Sequence, residues 1–141
     1  MKTLTTILSA VVLAFSFSSC AFYKDKYEGN AKASAAFLST NKTDKVRTNV
    51  EGVYYAPDWK GIVVIKQQEG GKLVGLFPHN DTVKGIVSGR TAYITLVDGN
   101  WTFYTLILKK DCCGNLVGYA SENAPFSEKD KKAVTLLKIG Q

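Results

Sequence analysis

Three cysteines, three prolines, one histidine and one methionine are all that this 141-residue chain holds of those types, and each scarcity closes off a class of chemistry. The single histidine, His79, stands between Pro78 and Asn80. A Ser–His–Asp triad would have to use it, and no nucleophile-elbow pattern is present. It reads as a turn residue. A metal site needs more ligands than His79 and the adjacent pair Cys112 and Cys113 supply. Neither a phosphate loop nor a dinucleotide fingerprint occurs. Asp58, Asp81, Asp98 and Glu122 each lie beside a turn residue, where Asp in particular commonly caps its own backbone. No catalytic residue, metal or cofactor is therefore expected, and the chain is read as non-enzymatic.

What is present begins with the N-terminus. Lys2 is followed by an apolar stretch from Ile7 to Phe17, shorter than the ~20 residues a membrane-spanning helix needs and suited to the apolar core of an export signal. Phe17-Ser18-Ser19-Cys20 resembles the lipobox of bacterial lipoproteins, with Phe17 where that family usually has Leu. The resemblance implies cleavage before Cys20 and acylation of its thiol. Two acyl chains hold a protein to a bilayer where one holds it only marginally. The competing reading is a cut after Ala21 that releases a soluble secreted or periplasmic protein. The first reading gives a signal peptide over residues 1–19 and a lipid anchor at Cys20. The cell envelope is then the compartment and the outer membrane the expected one, since Ala21 stands where inner-membrane lipoproteins of enteric bacteria often carry Asp.

Residues 1–19 hold one lysine and no acid, so from Cys20 onward 17 basic side chains face 12 acidic ones. Lys129, Lys131 and Lys132 form the one tight basic group and read as a solvated face. No nucleic-acid motif is found, and no nucleic-acid partner is expected. Residues 20–49 carry many charges and only two apolar groupings, Phe22-Tyr23 and Ala35-Ala36-Phe37-Leu38. They read as a flexible or partly helical tether, with a docked helix as the other possibility.

Residues 50–141 have the texture of a single antiparallel β domain. Strands are expected near Val53–Ala56, Ile62–Gln68, Leu73–Phe77, Val83–Ser88, Ala92–Val97, Trp101–Lys109, Leu116–Ala120 and Val134–Ile139. Turn residues separate them at short intervals, which favours antiparallel neighbours. About eight such strands predict an all-β up-and-down barrel or a strongly bent sheet. Ser127 to Asp130 has the composition to cap one helical turn.

Two strands are apolar on both faces. Ile62 and Val64 alternate with Val63 and Ile65. Trp101, Phe103, Thr105 and Ile107 alternate with Thr102, Tyr104, Leu106 and Leu108. Such strands are either covered on both sides or meet a partner. Trp101 and Phe103 are expected in the core, with a ligand cavity as the functional alternative. Together with Tyr93 and Trp59 they are the candidate ligand or partner surface.

Gly71-Lys72-Leu73-Val74-Gly75 recurs as Gly114-Asn115-Leu116-Val117-Gly118, and Val63 to Lys66 aligns with Leu106 to Lys109 without a gap. One hairpin geometry used twice explains this, with Gly75 and Gly118 at bends. The alignment sets Cys112 and Cys113 at a turn tip. In an oxidising compartment they form a vicinal disulfide, remain thiols or bridge to another chain.

Over the β domain the resemblance is to calycin-type barrels such as lipocalins, which enclose apolar ligands. Gly52-Val53-Tyr54 stands where they often open with Gly-x-Trp. The Ser88-Gly89-Arg90-Thr91-Ala92-Tyr93 segment resembles the Ser-Gly-x-x-Tyr loop of lysozyme-inhibitor lipoproteins with one residue more. The function these features imply is a membrane-anchored lipoprotein that binds a small apolar ligand or an envelope component. The alternative is a module that docks on an envelope protein, including as an inhibitor of a cell-wall hydrolase.

Overall fold

In the computed structural model, which describes residues 24–140, eight antiparallel strands close into a barrel in sequence order. They are β1 (Gly52–Ala56), β2 (Gly61–Gln67), β3 (Lys72–Phe77), β4 (Asp81–Ser88), β5 (Thr91–Asp98), β6 (Trp101–Lys110), β7 (Leu116–Ser121) and β8 (Lys132–Gly140). β8 returns to pair with β1 through Tyr54–Lys138 and Tyr55–Leu137. Closure of this kind removes the exposed edges an open sheet would carry. All eight strands expected from the sequence are present. The helical turn expected at Ser127–Asp130 is not: the Ser121 hydroxyl accepts from the Asn123 and Ser127 amides at 3.3 and 3.1 Å, folding the β7–β8 loop back onto β7.

The interior is filled by the chain itself. Tyr54, Ile65, Leu73, Ile94, Leu96, Leu106, Leu108, Leu116 and Leu136 are each at most 1% exposed and belong to one continuous cluster. An eight-stranded barrel is just wide enough for inward side chains to fill. One end is plugged by Trp59, whose ring meets Phe77 and Tyr104 edge-on with centroids 4.9 and 5.5 Å apart. We call this the Trp59 end. The opposite, Ser88 end is crossed by a strap, residues 42–51. Its Val50 is fully buried and its Val46 packs on the core. The Ser88 hydroxyl accepts from the Thr43 and Asp44 amides, and the Gln67 amide side chain holds both Thr48 and Val50.

Tyr54 ties the strap to the interior, donating to the Val50 carbonyl at 2.6 Å. Burial pushes its phenol up to about 12, because the phenolate has no water there. The unfolded chain ionises this phenol near pH 10 and the folded chain only near 12. Its contribution is therefore complete below pH 10 and lost as pH rises through 12. Tyr54→Phe is expected to lose about 1 kcal/mol at pH 7. It should also flatten the fall in urea stability between pH 10 and 12, by roughly 2–3 kcal/mol. An unchanged alkaline slope refutes the assignment.

The repeat is one hairpin built twice. The Gln68 amide bonds the Lys72 carbonyl at 2.8 Å, and the Asp111 amide bonds the Asn115 carbonyl at 2.9 Å. Gly71 and Gly114 have φ of +83° and +87°. A Cβ on Gly75 would sit 1.8 Å from the Val64 carbonyl oxygen, and one on Gly118 would sit 2.0 Å from that of Ile107.

Residues 24–49 are partly helical and are docked on the barrel, as in the second of the two possibilities the sequence leaves open. Residues 24–41 form helix α1, which lies along the outside of the barrel. Its contacting face is Tyr27, Asn30, Ser34 and Phe37, spaced as one helical stripe. The Asn30 amide clasps Thr102, accepting from its N–H at 2.8 Å and donating to its carbonyl at 3.1 Å. Those backbone groups need a partner because β7 pairs with β6 only from Thr105 to Lys110. Ser34 is hydrogen-bonded to the Thr102 hydroxyl. Phe37 packs between Tyr93 and Phe126, with centroids 6.0 and 6.5 Å away. The stripe escapes a search for apolar runs because two of its members dock by hydrogen bonds.

Candidate binding surfaces

The four aromatic residues nominated from the sequence occupy three separate places. Trp101 and Phe103 remain together at the β5–β6 hairpin, but neither belongs to the core. The β5–β6 register slips after Leu96, which pairs with Tyr104, while Val97 pairs with Thr102. Phe103 is thus the extra residue of a bulge, and such bulges re-aim side chains. Tyr104, Leu106 and Leu108 point inward; Phe103 is 44% exposed. Trp101 packs edge-on against Tyr27 of α1 at 5.4 Å, with the Lys26 ammonium 5.5 Å from its ring. These side chains line an open groove of ≈ 600 Å³ with Asp98, Gly99 and Asn100. Tyr93 lies under α1 against Phe37. Trp59 is the plug of the barrel end and borders a second groove with Tyr104, Glu122 and Val134. Burial, then the neighbouring Glu122, raises the Tyr104 phenol, which donates to that carboxylate at 3.2 Å.

A surface not nominated as a site lies on the other side of the barrel. α1 covers β5 and β6, and the outer wall running from β8 through β1 and β2 to β3 has no such cover among the described residues. Tyr55, Ile62, Leu76, Leu137 and Ile139 project from it, 37–59% exposed. They adjoin across strands: Tyr55 pairs with both Ile62 and Leu137, and Leu76 pairs with Val64. The two-faced apolar pattern of Ile62 to Ile65 was the signal for this wall. The reach across the β8–β1 closure was not legible, because it joins the two ends of the domain.

Cys112 and Cys113 are exposed at the β6–β7 tip, and their sulfurs are 3.7 Å apart as free thiols, beyond the ~2.05 Å of a disulfide. The Asp111 carboxylate shapes the tip, accepting from the Cys113 and Asn115 amides at 2.9 Å each. The hydrogen bond to Cys112 first, and the Asp111 charge second, push the Cys113 thiol up, so it is not an activated nucleophile. His79 is exposed in the Pro78–Asn80 turn with φ of 68°. Burial first and Asp98 second hold the Asp81 carboxyl above its ordinary range, with His79 opposing. Among the described residues no three His, Cys, Asp or Glu side chains converge on a metal geometry, and no helix is long and apolar enough to cross a membrane. Cys20, the expected lipid attachment, lies outside the described residues. Comparison with protein-family models, curated proteins and solved structures finds no match to this chain.

Proposed function

We propose that this chain is a non-catalytic lipoprotein, anchored through Cys20 in a bacterial envelope, whose barrel docks an envelope protein on its outer wall. The observation that carries the reading is an inversion of where apolar surface lies. The interior has been spent on the chain's own side chains, unlike a lipocalin-type cavity, while the β8–β1–β2–β3 wall leaves five large apolar side chains exposed. Contiguous exposed apolar surface marks interaction sites. The partner fitted to it has an apolar strip with acidic flanks. Apart from Asp81 and Asp98 at strand ends, the strands carry only lysines as charged residues. A small apolar ligand in the Trp101 groove is the second reading, favoured by the unpacked Phe103 ring.

Native mass spectrometry of the chain purified from its own host separates the two. An intact complex with one defined partner is expected, lost in Ile62→Lys/Leu76→Lys. Those outward substitutions should change stability by less than about 0.5 kcal/mol. A retained small-molecule mass that disappears in Phe103→Ser supports the second reading instead. Anchoring is tested apart from either: wild type should take up labelled palmitate and fractionate with membranes, and Cys20→Ser should do neither. An unlabelled wild type overturns the anchor.

A further inference from the structure

The charges of this molecule are sorted between the two ends of the barrel. At the Ser88 end, Lys42, Lys45 and Arg47 lie on the strap, Arg90 in the β4–β5 turn, and Lys109 and Lys110 at the close of β6, all exposed. The acids of that end are Asp44, Glu51, Glu69 and Asp111. At the other end the balance reverses: Asp58, Asp81, Asp98, Glu122, Glu128 and Asp130 all lie there. The lysine group at residues 129, 131 and 132, the densest in the sequence, belongs to this acidic end. Lys131 there is paired with Glu128 at 2.6 Å and lies over the Tyr119 ring.

The basic side chains of the Ser88 end form one surface although they come from three parts of the chain. The Arg47 amide bonds the Gly89 carbonyl at 2.8 Å, Lys110 Nζ donates to the Asn49 carbonyl at 3.0 Å, and Lys109 pairs with Thr91. Both ion pairs found among the described residues, Lys24–Glu28 and Lys131–Glu128, are away from it. Its cations therefore face solvent without a carboxylate partner, and like charges brought together this way raise the local positive potential.

We infer that this basic end binds an anionic polysaccharide, whose carboxylates or phosphates, spaced along an extended chain, meet the cations of the strap, the β4–β5 turn and β6. Two observations favour a soluble polymer over a lipid surface. The exposed large apolar side chains near this end, Val117 and Ile139, stand on the strand walls and none lies in the strap or the turns, so the tips of this end offer no apolar wedge to insert between acyl chains. Moreover α1 runs from Tyr27 beside Trp101 to Asn41 near Ser88, about 21 Å at 1.5 Å per residue. The chain leading back to Cys20 thus leaves from the opposite end. That second point rests on the lipid-anchored reading, under which the basic end is the pole turned away from the bilayer.

The test compares two triple substitutions that change net charge equally. Arg47→Glu/Arg90→Glu/Lys110→Glu alters the Ser88 end, and Lys129→Glu/Lys131→Glu/Lys132→Glu alters the other. Binding of the full chain to polygalacturonate, a carboxylated polysaccharide, is measured by titration calorimetry, with neutral dextran as the blank. The first triple should weaken binding about tenfold or more and the second less than about twofold. The glutamine versions, Arg47→Gln/Arg90→Gln/Lys110→Gln, should show a smaller loss in the same order and serve if charge reversal disturbs the fold. Equal losses from both triples reduce the effect to net charge and overturn the site. So does tighter binding to an oligonucleotide, to polyglutamate, or to vesicles of phosphatidylglycerol and phosphatidylcholine than to the polysaccharide. Palmitate labelling is read on the same preparations. Unlabelled protein that still discriminates between the triples removes the anchor and leaves the polysaccharide site standing.

Discussion

Gly118→Ala is expected to cost at least about 3 kcal/mol, the upper part of the range for overpacking, and to lower the melting temperature by roughly 10 °C or more. The reason is contact with backbone. The added methyl group would lie 2.0 Å from the Ile107 carbonyl oxygen and 3.1 Å from the Leu108 Cα, and neither is the movable tip of a side chain. Relief requires β6 and β7 to separate where Leu108 pairs with Gly118. The equivalent Gly75→Ala forces the Val64 carbonyl in the same way and should behave alike. Gly29→Ala supplies the contrast. Gly29 is helical, with nothing within 4 Å of an added Cβ, and the change should be neutral or stabilise by about 0.5–1 kcal/mol. Urea denaturation of the three variants decides the matter. If Gly118→Ala falls within about 1 kcal/mol of wild type, the two strands do not approach as described.

Trp59→Ala should cost about 3 kcal/mol, the lower limit for removing a large aromatic ring. Trp59 is only partly buried, but its ring closes the barrel end and meets Phe77 and Tyr104 edge-on. Truncation would strip Phe77 of its cover and let water reach the inner cluster. Trp59→Phe keeps an apolar plug and should lose no more than about 1.5 kcal/mol. The pair also distinguishes structure from recognition. If Trp59→Phe keeps full stability and loses the envelope partner, Trp59 belongs to the docking surface after all.

The barrel was legible because its information is local. Turn residues at short intervals name the strands, and two matching Gly-to-Gly segments show that one bent hairpin recurs. Cys112 and Cys113 could be assigned to a tip for the same reason. Trp101 and Phe103 were misread because both faces of β6 are apolar, and the face of Tyr104, Leu106 and Leu108 is the one turned inward. α1 was hidden because Asn30 and Ser34 look like solvent-facing residues until Thr102 supplies partners 72 and 68 positions away. The basic end was hidden for a related reason. Its cations are scattered in sequence and assembled by the strap, whereas the obvious lysine group lies among acids.

The seam between β1 and β8 has one further consequence, for the order in which this chain can fold. β1 finds its second neighbour only when Lys138 and Leu137, more than eighty residues further along, are available. Phe37 likewise waits for Phe126. Long-range pairings of this kind form late and together. The barrel thus closes only once β8 is in place, although α1 and the strap can already reach Gln67, Ser88 and Thr102. Loss of the nine residues of β8 would then free two strands at once, leaving a sheet with two exposed edges where the closed barrel has none.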